Sequence, residues 1–460
     1  MSENLQRDTG TPLDRLGNER RREAACLVAI LLVALALRLI FTYQAQKGPF
    51  EHLARIMPGT DMEQHDRIAR RVLANNWYDK SIDASPLYSY VFLPVLYKVT
   101  GGSVFWTLII QGFFDSVTVF LVYLLARRLF AGRAAIYAGI AAALYAPFII
   151  YQAQLLGESM LNALITAFFV AMLPPVGRPG ALRVLAAGFL LGLACAASAA
   201  CFVFAPLVVL LVWRESGGRF RTTAALVAAA ALGCFAALLP FAWRDYKSTG
   251  EFTLLNGGAM LYMGNNSDAT GEYGILSDAA AVELARKADG LTFRGRDQLY
   301  RAAALRFVLD NPGRALRLFC TKFRLFFSAP EIPHNLSTRL HRQKTFLRAW
   351  PFATFGIVFP LALIAFAMTL GRPRVWFLAG GAALYSLATI ACVVPGGYRL
   401  GIVGLILPAA GFAAAELMLA VKTLDFRRTT AIALPAAALA VLVNWSQISA
   451  SAAQRFHPDG

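Results

Sequence analysis

The sequence has few charged residues and few cysteines. Only 15% of its 460 residues are Asp, Glu, Lys or Arg, whereas 57% are hydrophobic. A soluble domain of this length cannot bury so many apolar side chains in one core, so the composition excludes an ordinary soluble globular protein. The six cysteines show no Cys-x-x-Cys or Cys/His spacing, and nothing in them indicates a structural zinc site.

Several binding and catalytic motifs are also missing. The chain has no Walker A phosphate loop, no Gly-x-Gly-x-x-Gly that opens a helix after a strand, no His-Glu-x-x-His and no Asp-x-Asp. These absences disfavour zinc proteases and enzymes that take a sugar from a soluble nucleotide donor. The net charge of +17 does not predict nucleic-acid binding, because the arginines of the short loops follow the positive-inside rule.

What the sequence does contain is a series of apolar runs, several of them long enough to cross about 30 Å of hydrocarbon. They predict an all-α polytopic membrane protein with about eleven transmembrane helices. The runs cover residues 25–41, 103–126, 134–150, 158–174, 183–199, 200–213, 222–241, 351–370, 375–394, 400–421 and 429–447.

The stretch 182–213 admits two interpretations, either two short crossings or one long tilted helix. Charge decides between them. With two crossings and an inner N-terminus, the cytoplasmic segments collect most of the short-loop basic residues, at 20–22, 127–133, 178–183, 214–221, 372–374 and 422–428. A single crossing would move the later groups to the outside, against the positive-inside rule.

This topology divides the chain into five parts and places both long hydrophilic segments outside. The parts are a cytoplasmic segment 1–24, an N-terminal catalytic transmembrane module 25–241 that includes the helical outer loop 42–102, a large mixed outer loop 242–350, a C-terminal transmembrane module 351–447 and an outer tail 448–460. Periodicity predicts loop helices from Asp61 to about Leu73 and at 278–289, 294–309 and 313–327, with turns at 256–274.

Two acids are the candidate catalytic residues. Asp61 follows the first crossing on the outer side, where a carboxylate can take a proton from an acceptor hydroxyl, and His65 lies one helical turn on and can orient it. Glu158 begins a later crossing at the same membrane face. The alternative for both acids is an ordinary place at a helix N-terminus, where the helix dipole favours carboxylates.

Three cations are candidate contacts for a lipid phosphate. Arg399 is the only basic residue of a short outer loop and follows two glycines, so its guanidinium could hold a phosphate in a two-pronged way. Arg38 lies inside the first crossing, and Lys322 lies on the amphipathic loop helix. Ordinary headgroup contact by snorkelling is the alternative for all three.

Several segments follow one another in an order typical of a known enzyme group. They are Arg38, then Asp61 with His65 and Ala69, SPLYSYVFLPVLYKVTGG, LARRLFAGRAA, LYAPFIIYQAQLLGESM with Glu158, WRDYKSTGEFTLLNGGAMLYMGNNSDATGEYG, and GGYRLGIVGLILPAAG with Tyr398 and Arg399. This order resembles the polytopic C-type glycosyltransferases, above all glycosyltransferase family 39, with its protein O-mannosyltransferases and lipid A aminoarabinose transferases. The resemblance covers about residues 25–420; Met62 and His65 stand where relatives have an acid and a tyrosine.

The resemblance implies a function. A sugar would pass, with inversion, from a polyprenyl-phosphate donor to a lipid, protein or glycan acceptor outside the membrane. Asp61 would be the general base and Glu158 would position the acceptor or a cation. The substrate contacts would be Arg399, Tyr398, Arg38, Lys322, His65, Asn265 and Asn266. Some relatives hold a divalent metal ion, for which Asp83 and His334 are the candidates.

Other functions stay open at this point. A ligase or polymerase of lipid-linked oligosaccharides differs only in the size of the donor. A transporter or flippase would use the same acids, but we find no internal repeat of the kind that marks many transporters. A scaffold would leave the acids unexplained. The Ala/Arg-rich composition indicates a bacterium. We therefore expect the protein in the inner membrane, with the N-terminus cytoplasmic and the active site on the outer side, as the loop charges predict.

Overall fold

Helices dominate the part of the chain that the computed structural model describes. That part comprises residues 12–47, 59–78, 85–175, 177–252, 257–271, 279–332, 342–348, 352–372 and 374–456. Helix accounts for 82%, and the described residues contain no strand, only an isolated bridge between Tyr145 and Ala353. The prediction of an all-α protein is confirmed.

The N-terminal half alternates long apolar helices with short connecting ones. Its α-helices are α1 Pro12–Lys47, α2 Asp61–Leu73, α3 Leu93–Thr100, α4 Val104–Phe130, α5 Gly132–Ala143, α6 Ala146–Tyr151, α7 Glu158–Met172, α8 Ala181–Ala197, α9 Ala205–Glu215 and α10 Phe220–Thr249. A π-helix, Leu87–Phe92, runs into α3, and a 3-10 helix, Ala199–Phe204, runs into α9.

The C-terminal half places a group of polar helices before four apolar ones. Its α-helices are α11 Gly258–Met263, α12 Ala279–Ala288, α13 Phe293–Asp310, α14 Pro312–Phe327, α15 Phe355–Thr369, α16 Val375–Ala391, α17 Leu400–Lys422 and α18 Phe426–Phe456. Two short 3-10 helices, Phe346–Arg348 and Gly396–Arg399, precede α15 and α17.

Five stretches of helix in the described residues are long and apolar enough to cross a membrane: Arg20–Gln46, Val104–Phe130, Phe220–Thr249, Gly396–Lys422 and Phe426–Gln447. Four shorter apolar helices accompany them: Glu158–Met172, Ala181–Ala197, Phe355–Thr369 and Val375–Ala391. The chain is therefore an all-helical integral membrane protein, and the number of about eleven crossings stays a prediction.

The loop helices lie close to where periodicity places them. The helix predicted from Asp61 to about Leu73 has those limits in the structure, and α12, α13 and α14 match the other three within about two residues. The prediction of turns throughout 256–274 is wrong in one place. There the apolar residues of α11, Gly258–Met263, form a short helix that packs against α13.

The stretch 182–213 is broken, as the charge argument requires. Helix α8 ends at Ala197, and Ser198 is extended at φ −157° and ψ 121° before the chain turns into the 3-10 helix. One continuous tilted helix over this stretch is therefore ruled out. The break therefore lies between two helices. Arg183 lies near the start of the first, α8, and Arg214 lies near the end of the second, α9.

Helix α17 lies at the centre of the bundle. Within its most apolar 18-residue window 72% of the residues are buried, against 11% for the corresponding window of α18, which therefore lies at the periphery. Glycines let neighbouring helices approach it: a methyl group on Gly404 would lie 2.2 Å from Oγ1 of Thr166. Because Arg399 immediately precedes α17, the Gly396–Arg399 turn is held at the end of this central helix.

Candidate active site

Glu158 meets the Gly396–Arg399 turn at the start of α7. A methyl group on Gly397 would lie 2.7 Å from Oε1 of Glu158 and 2.9 Å from Cε1 of Tyr151, so the turn lies directly on the carboxylate. Only glycine leaves room for this approach. The contact brings two motifs that are more than 200 residues apart into one place.

Asp61 and His65 approach the same carboxylate from α2. Asp61 is the first residue of that helix and His65 lies one turn later on the same face. Both are near enough to Glu158 to act on its charge. The two carboxylic acids are partly exposed, whereas His65 is buried. The structure thus groups the three residues.

The π-helix fixes His65 in place. Nδ1 of His65 shares a hydrogen bond of 2.6 Å with Oγ of Ser89, and its ring contacts Tyr88 edge to face at 5.1 Å. The hydroxyl of Tyr88 donates to Oε1 of Gln111 at 3.0 Å, which ties the π-helix to α4. Burial raises the pKa of Tyr88, so its hydroxyl remains a neutral donor across the physiological range.

Gln111 extends this network to the segment before Glu158. Its Nε2 donates to the backbone oxygens of Gln152 at 2.7 Å and Gln154 at 2.8 Å. Buried amides that are satisfied in this way hold irregular backbone where water is scarce. The segment between α6 and α7 is therefore fixed, and with it the position of Glu158.

Arg399 lies beside this cluster, but its guanidinium is already occupied. Nη2 pairs with Oε1 of Glu331 at 2.8 Å, and the group lies over the ring of Phe355 at 4.4 Å. It also donates to three backbone oxygens, those of Phe326 at 3.3 Å, Ser328, and Pro330 at 2.9 Å. These contacts use both terminal nitrogens, so a two-pronged grip on phosphate requires the Glu331 pair to open.

Two tyrosines lie near the arginine, and one of them is also near the acid cluster. Tyr151 is within electrostatic range of Glu158, Glu331 and Arg399. Tyr398, next to Arg399, is partly exposed, and its hydroxyl approaches Sδ of Met260 at 3.9 Å. The structure therefore brings Asp61, Glu158, His65, Tyr398 and Arg399 into one region.

Arg38 has a different environment from the one predicted. Its Nε pairs with Oδ2 of Asp115 at 2.6 Å, and both side chains are 0% exposed. Nη1 donates to the backbone oxygens of Ala34 and Ala143. The geometry explains Arg38 as half of a buried ion pair that joins α1 and α4, and its contact with a lipid phosphate stays a prediction.

Lys322, Asn265 and Asn266 form a clasp at the end of α16. The ammonium of Lys322 donates to four oxygens: Gly264 O at 3.0 Å, Cys392 O at 3.0 Å, Ala391 O at 3.2 Å and Asn265 Oδ1 at 3.2 Å. Asn266 is buried and caps the end of α11. Burial lowers the pKa of Lys322 to about 8. The clasp closes on backbone oxygens rather than on the acid cluster.

The candidate metal residues cannot be placed. Asp83 and His334 lie outside the described residues. Within the residues that are described, no three side chains of His, Cys, Asp or Glu come together closely enough to hold an ion. Asp61, His65 and Glu158 have side chains of the types that bind metal ions, but they do not lie close enough together to form such a site.

Two acids of the site region were not singled out by the sequence. Asp115 pairs with Arg38, and a sequence signal existed, because an acid inside an apolar run needs a partner or a function. Glu331 pairs with Arg399 and carries a buried Oε2 that has no hydrogen-bond partner. It lies in a polar loop among other charged residues, where nothing marks it out.

Solved structures share this fold. The archaeal oligosaccharyltransferase AglB from Archaeoglobus fulgidus, solved with an inhibitory peptide and a dolichol-phosphate, superposes with a TM-score of 0.50 at 15% identity, covering 93% of this chain. The chain spans only 56% of the length of AglB. The chain therefore shares the fold of AglB, which confirms the resemblance at the level of the fold alone.

A second solved structure is also similar to the chain. ArnT from Cupriavidus metallidurans, solved with undecaprenyl phosphate, is 15% identical over 88% of this chain and 80% of its own, with a TM-score of 0.39. That score is too low to support further argument. No protein-family model and no curated protein matches the sequence.

Proposed function

We propose that the protein is a membrane glycosyltransferase that moves a sugar from a polyprenyl-phosphate carrier to an acceptor. The observation that carries the proposal is the contact of Glu158 with the Gly396–Arg399 turn, with Asp61 and His65 near enough to act on the charge of the same carboxylate. The shared fold with AglB adds support, because that protein was solved with a dolichol-phosphate, a carrier of this chemical class.

In the proposed reaction Asp61 accepts the proton of the acceptor nucleophile. The nucleophile forms a bond to the anomeric carbon from the face opposite the carrier, and the bond from that carbon to the phosphate oxygen breaks, leaving polyprenyl phosphate with the electron pair. Inversion follows from this single displacement. His65, held by Ser89, orients the base, and Glu158 accepts a hydrogen bond from the acceptor.

Arg399 serves in this proposal as a positioning residue. Its contacts with the 326–331 segment hold the turn that lies on Glu158. The unpartnered Oε2 of Glu331 is a buried acceptor that calls for a donor, and a sugar hydroxyl supplies one. We therefore assign recognition of a sugar hydroxyl to Glu331, which Arg399 holds in place, rather than recognition of the phosphate to Arg399.

The proposed orientation has the acid cluster outside and the N-terminus inside. Three arginines gather at the far end of α7 from Glu158: Arg128 donates to Leu173 O, Arg183 to Ala171 O and Arg374 to Pro174 O. A basic end of the bundle is expected on the cytoplasmic side. This arrangement supports an orientation with the active site on the outer face, and about eleven crossings remain part of the proposal.

A ligase for lipid-linked oligosaccharides is the second candidate. The observation in its favour is that AglB, whose fold the chain shares, is an oligosaccharyltransferase. The two readings predict different donors, a single sugar or an oligosaccharide on the carrier. Mass spectrometry of the lipid that copurifies with the protein distinguishes them.

The reaction is tested with the purified protein in nanodiscs and a panel of synthetic polyprenyl-phosphate sugars. A membrane extract supplies the acceptor, and the rate of polyprenyl phosphate release is measured. This rate should fall by about 100-fold or more in Asp61→Asn, because a general base accelerates such a reaction by that order. Asp310→Asn is the matched control, since Asp310 is an exposed acid at the end of α13. Unchanged release in Asp61→Asn would rule out the assigned base.

A further inference from the structure

The bundle has a second concave site at the end opposite Glu158. Helix α7 runs from Glu158 to Met172, which is roughly 20 Å of helix. Beyond its far end lies a cavity of about 480 Å³. It is lined by the end of α9, the segment between α7 and α8, and the segment between α15 and α16.

The cavity is strongly basic. Four arginines line it, Arg178, Arg214, Arg372 and Arg374, together with one acid, Glu215. Arg374 pairs with Glu215 at 2.8 Å and donates to backbone oxygens nearby, so these two charges cancel. Three positive charges are left without an acid. In the part of the chain that the structure describes, their guanidiniums have no hydrogen-bonded oxygen.

Two of these guanidiniums are held by aromatic rings. Arg214 lies over Trp376 at 4.9 Å, and Arg372 lies over Phe412 at 4.8 Å. Stacking covers the planar faces of a guanidinium and leaves its N–H edge available, which is the edge that binds phosphate oxygens. Side chains that only snorkel into solvent do not need such support, so the arrangement is that of a prepared anion site.

The cavity also has an apolar wall. Leu370 is 51% exposed and lines the cavity beside the indole of Trp376, with the buried Leu211 behind them, and the apolar helices α9 and α15 both end at the cavity. A free inorganic anion would gain nothing from contact with apolar side chains. A lipid has a phosphate that can bind the arginines and acyl chains that can contact Leu370 and Trp376.

We propose that this cavity binds the phosphate headgroup of an anionic membrane lipid, with the acyl chains along Leu370 and the indole of Trp376. The site lies at the other end of α7 from the acid cluster and is independent of the proposed transfer reaction. It would anchor the connections after α7 and α15, which carry Arg178 and Arg372, against the membrane surface.

Native mass spectrometry of the full chain in detergent, titrated with phosphatidylglycerol, tests the proposal. Each arginine near a lipid phosphate contributes about fivefold, so Arg214→Ala with Arg372→Ala should weaken binding by about 25-fold. Arg427→Ala is the control, because Arg427 is exposed at the start of α18, outside the cavity. Melting curves of each variant confirm that it is folded.

Three outcomes would overturn the proposal. Equal weakening by Arg427→Ala would mean general attraction to a basic surface. Binding of phosphatidylcholine as tightly as phosphatidylglycerol would mean that the site does not select lipids by their charge. Displacement of the lipid by inorganic phosphate at similar concentration would assign the site to a free anion. Loss confined to the double variant and to the anionic lipid supports it.

Discussion

Removing one partner of the buried ion pair between Arg38 and Asp115 should destabilise the protein far more than removing both. The two groups are 2.6 Å apart and 0% exposed, so either one alone would be an uncompensated charge in the bundle. The expected cost of Asp115→Leu or Arg38→Met is about 3–5 kcal/mol each. The double variant should lie within about 1 kcal/mol of the wild type, since apolar replacement of a buried pair is often neutral.

The structure gives a reason to expect the small cost of the double variant. Nη2 of Arg38 and Oδ1 of Asp115 have no hydrogen-bond partner, so the pair recovers only part of its desolvation cost. The wild type, the two single variants and the double variant form a double-mutant cycle. Reversible unfolding in mixed micelles, followed by tryptophan fluorescence, measures the free energy of unfolding of all four proteins. The predicted coupling energy is at least about 5 kcal/mol.

Additive losses in the double variant would refute this reasoning. Donor binding gives a second readout. A double variant that folds and still binds the polyprenyl-phosphate donor supports a structural role for Arg38. A double variant that folds but no longer binds the donor would indicate that Arg38 contacts the donor phosphate.

Three further predictions follow from named contacts. Gly397→Ala should cut sugar transfer by about tenfold or more, because its methyl group would displace Glu158, whereas Gly313→Ala, with open space around it, should leave the rate unchanged. Gly188→Ala should lower the free energy of unfolding by about 1–3 kcal/mol or more, because its methyl group would lie 2.0 Å from a backbone oxygen of α10; chemical denaturation checks this. Burial holds the pKa of Lys322 at about 8 instead of 10.5, so the folded state binds fewer protons than the unfolded state between those values. Its contribution to stability should therefore increase from pH 8 to about pH 10 in melting curves compared with Lys322→Met, and a flat difference would contradict the assignment.

Much of the fold could be predicted from the sequence because the membrane restricts the choices. Each of the apolar runs coincides with helix, and the break at Ser198 lies where loop charges require one. The helix that begins at Asp61 could also be predicted from the sequence, since its apolar residues recur at helical spacing. The short helix α11 could not be predicted, because the glycines at its two ends, Gly257, Gly258 and Gly264, are typical of turns.

The site was predictable in its acids but not in its cations. Asp61 is marked by following the first apolar run at the start of an amphipathic helix, and Glu158 by beginning a later apolar run on the same predicted side. What a guanidinium pairs with depends on residues far away in the chain, and Asp115 and Glu331 lie 77 and 68 positions from their arginines. Local sequence contains no information about such pairing, so the sequence cannot distinguish an available cation from a satisfied one.

The most direct test of the central claim compares the rates of carrier release in Asp61→Asn, Glu158→Gln and the variant with both changes. If the two carboxylates act together on one acceptor, each single change should lower the rate by about 100-fold or more, and the double variant should be little worse than the poorer single one. Rates that remain near the wild type, or losses that simply multiply, would contradict a shared active site.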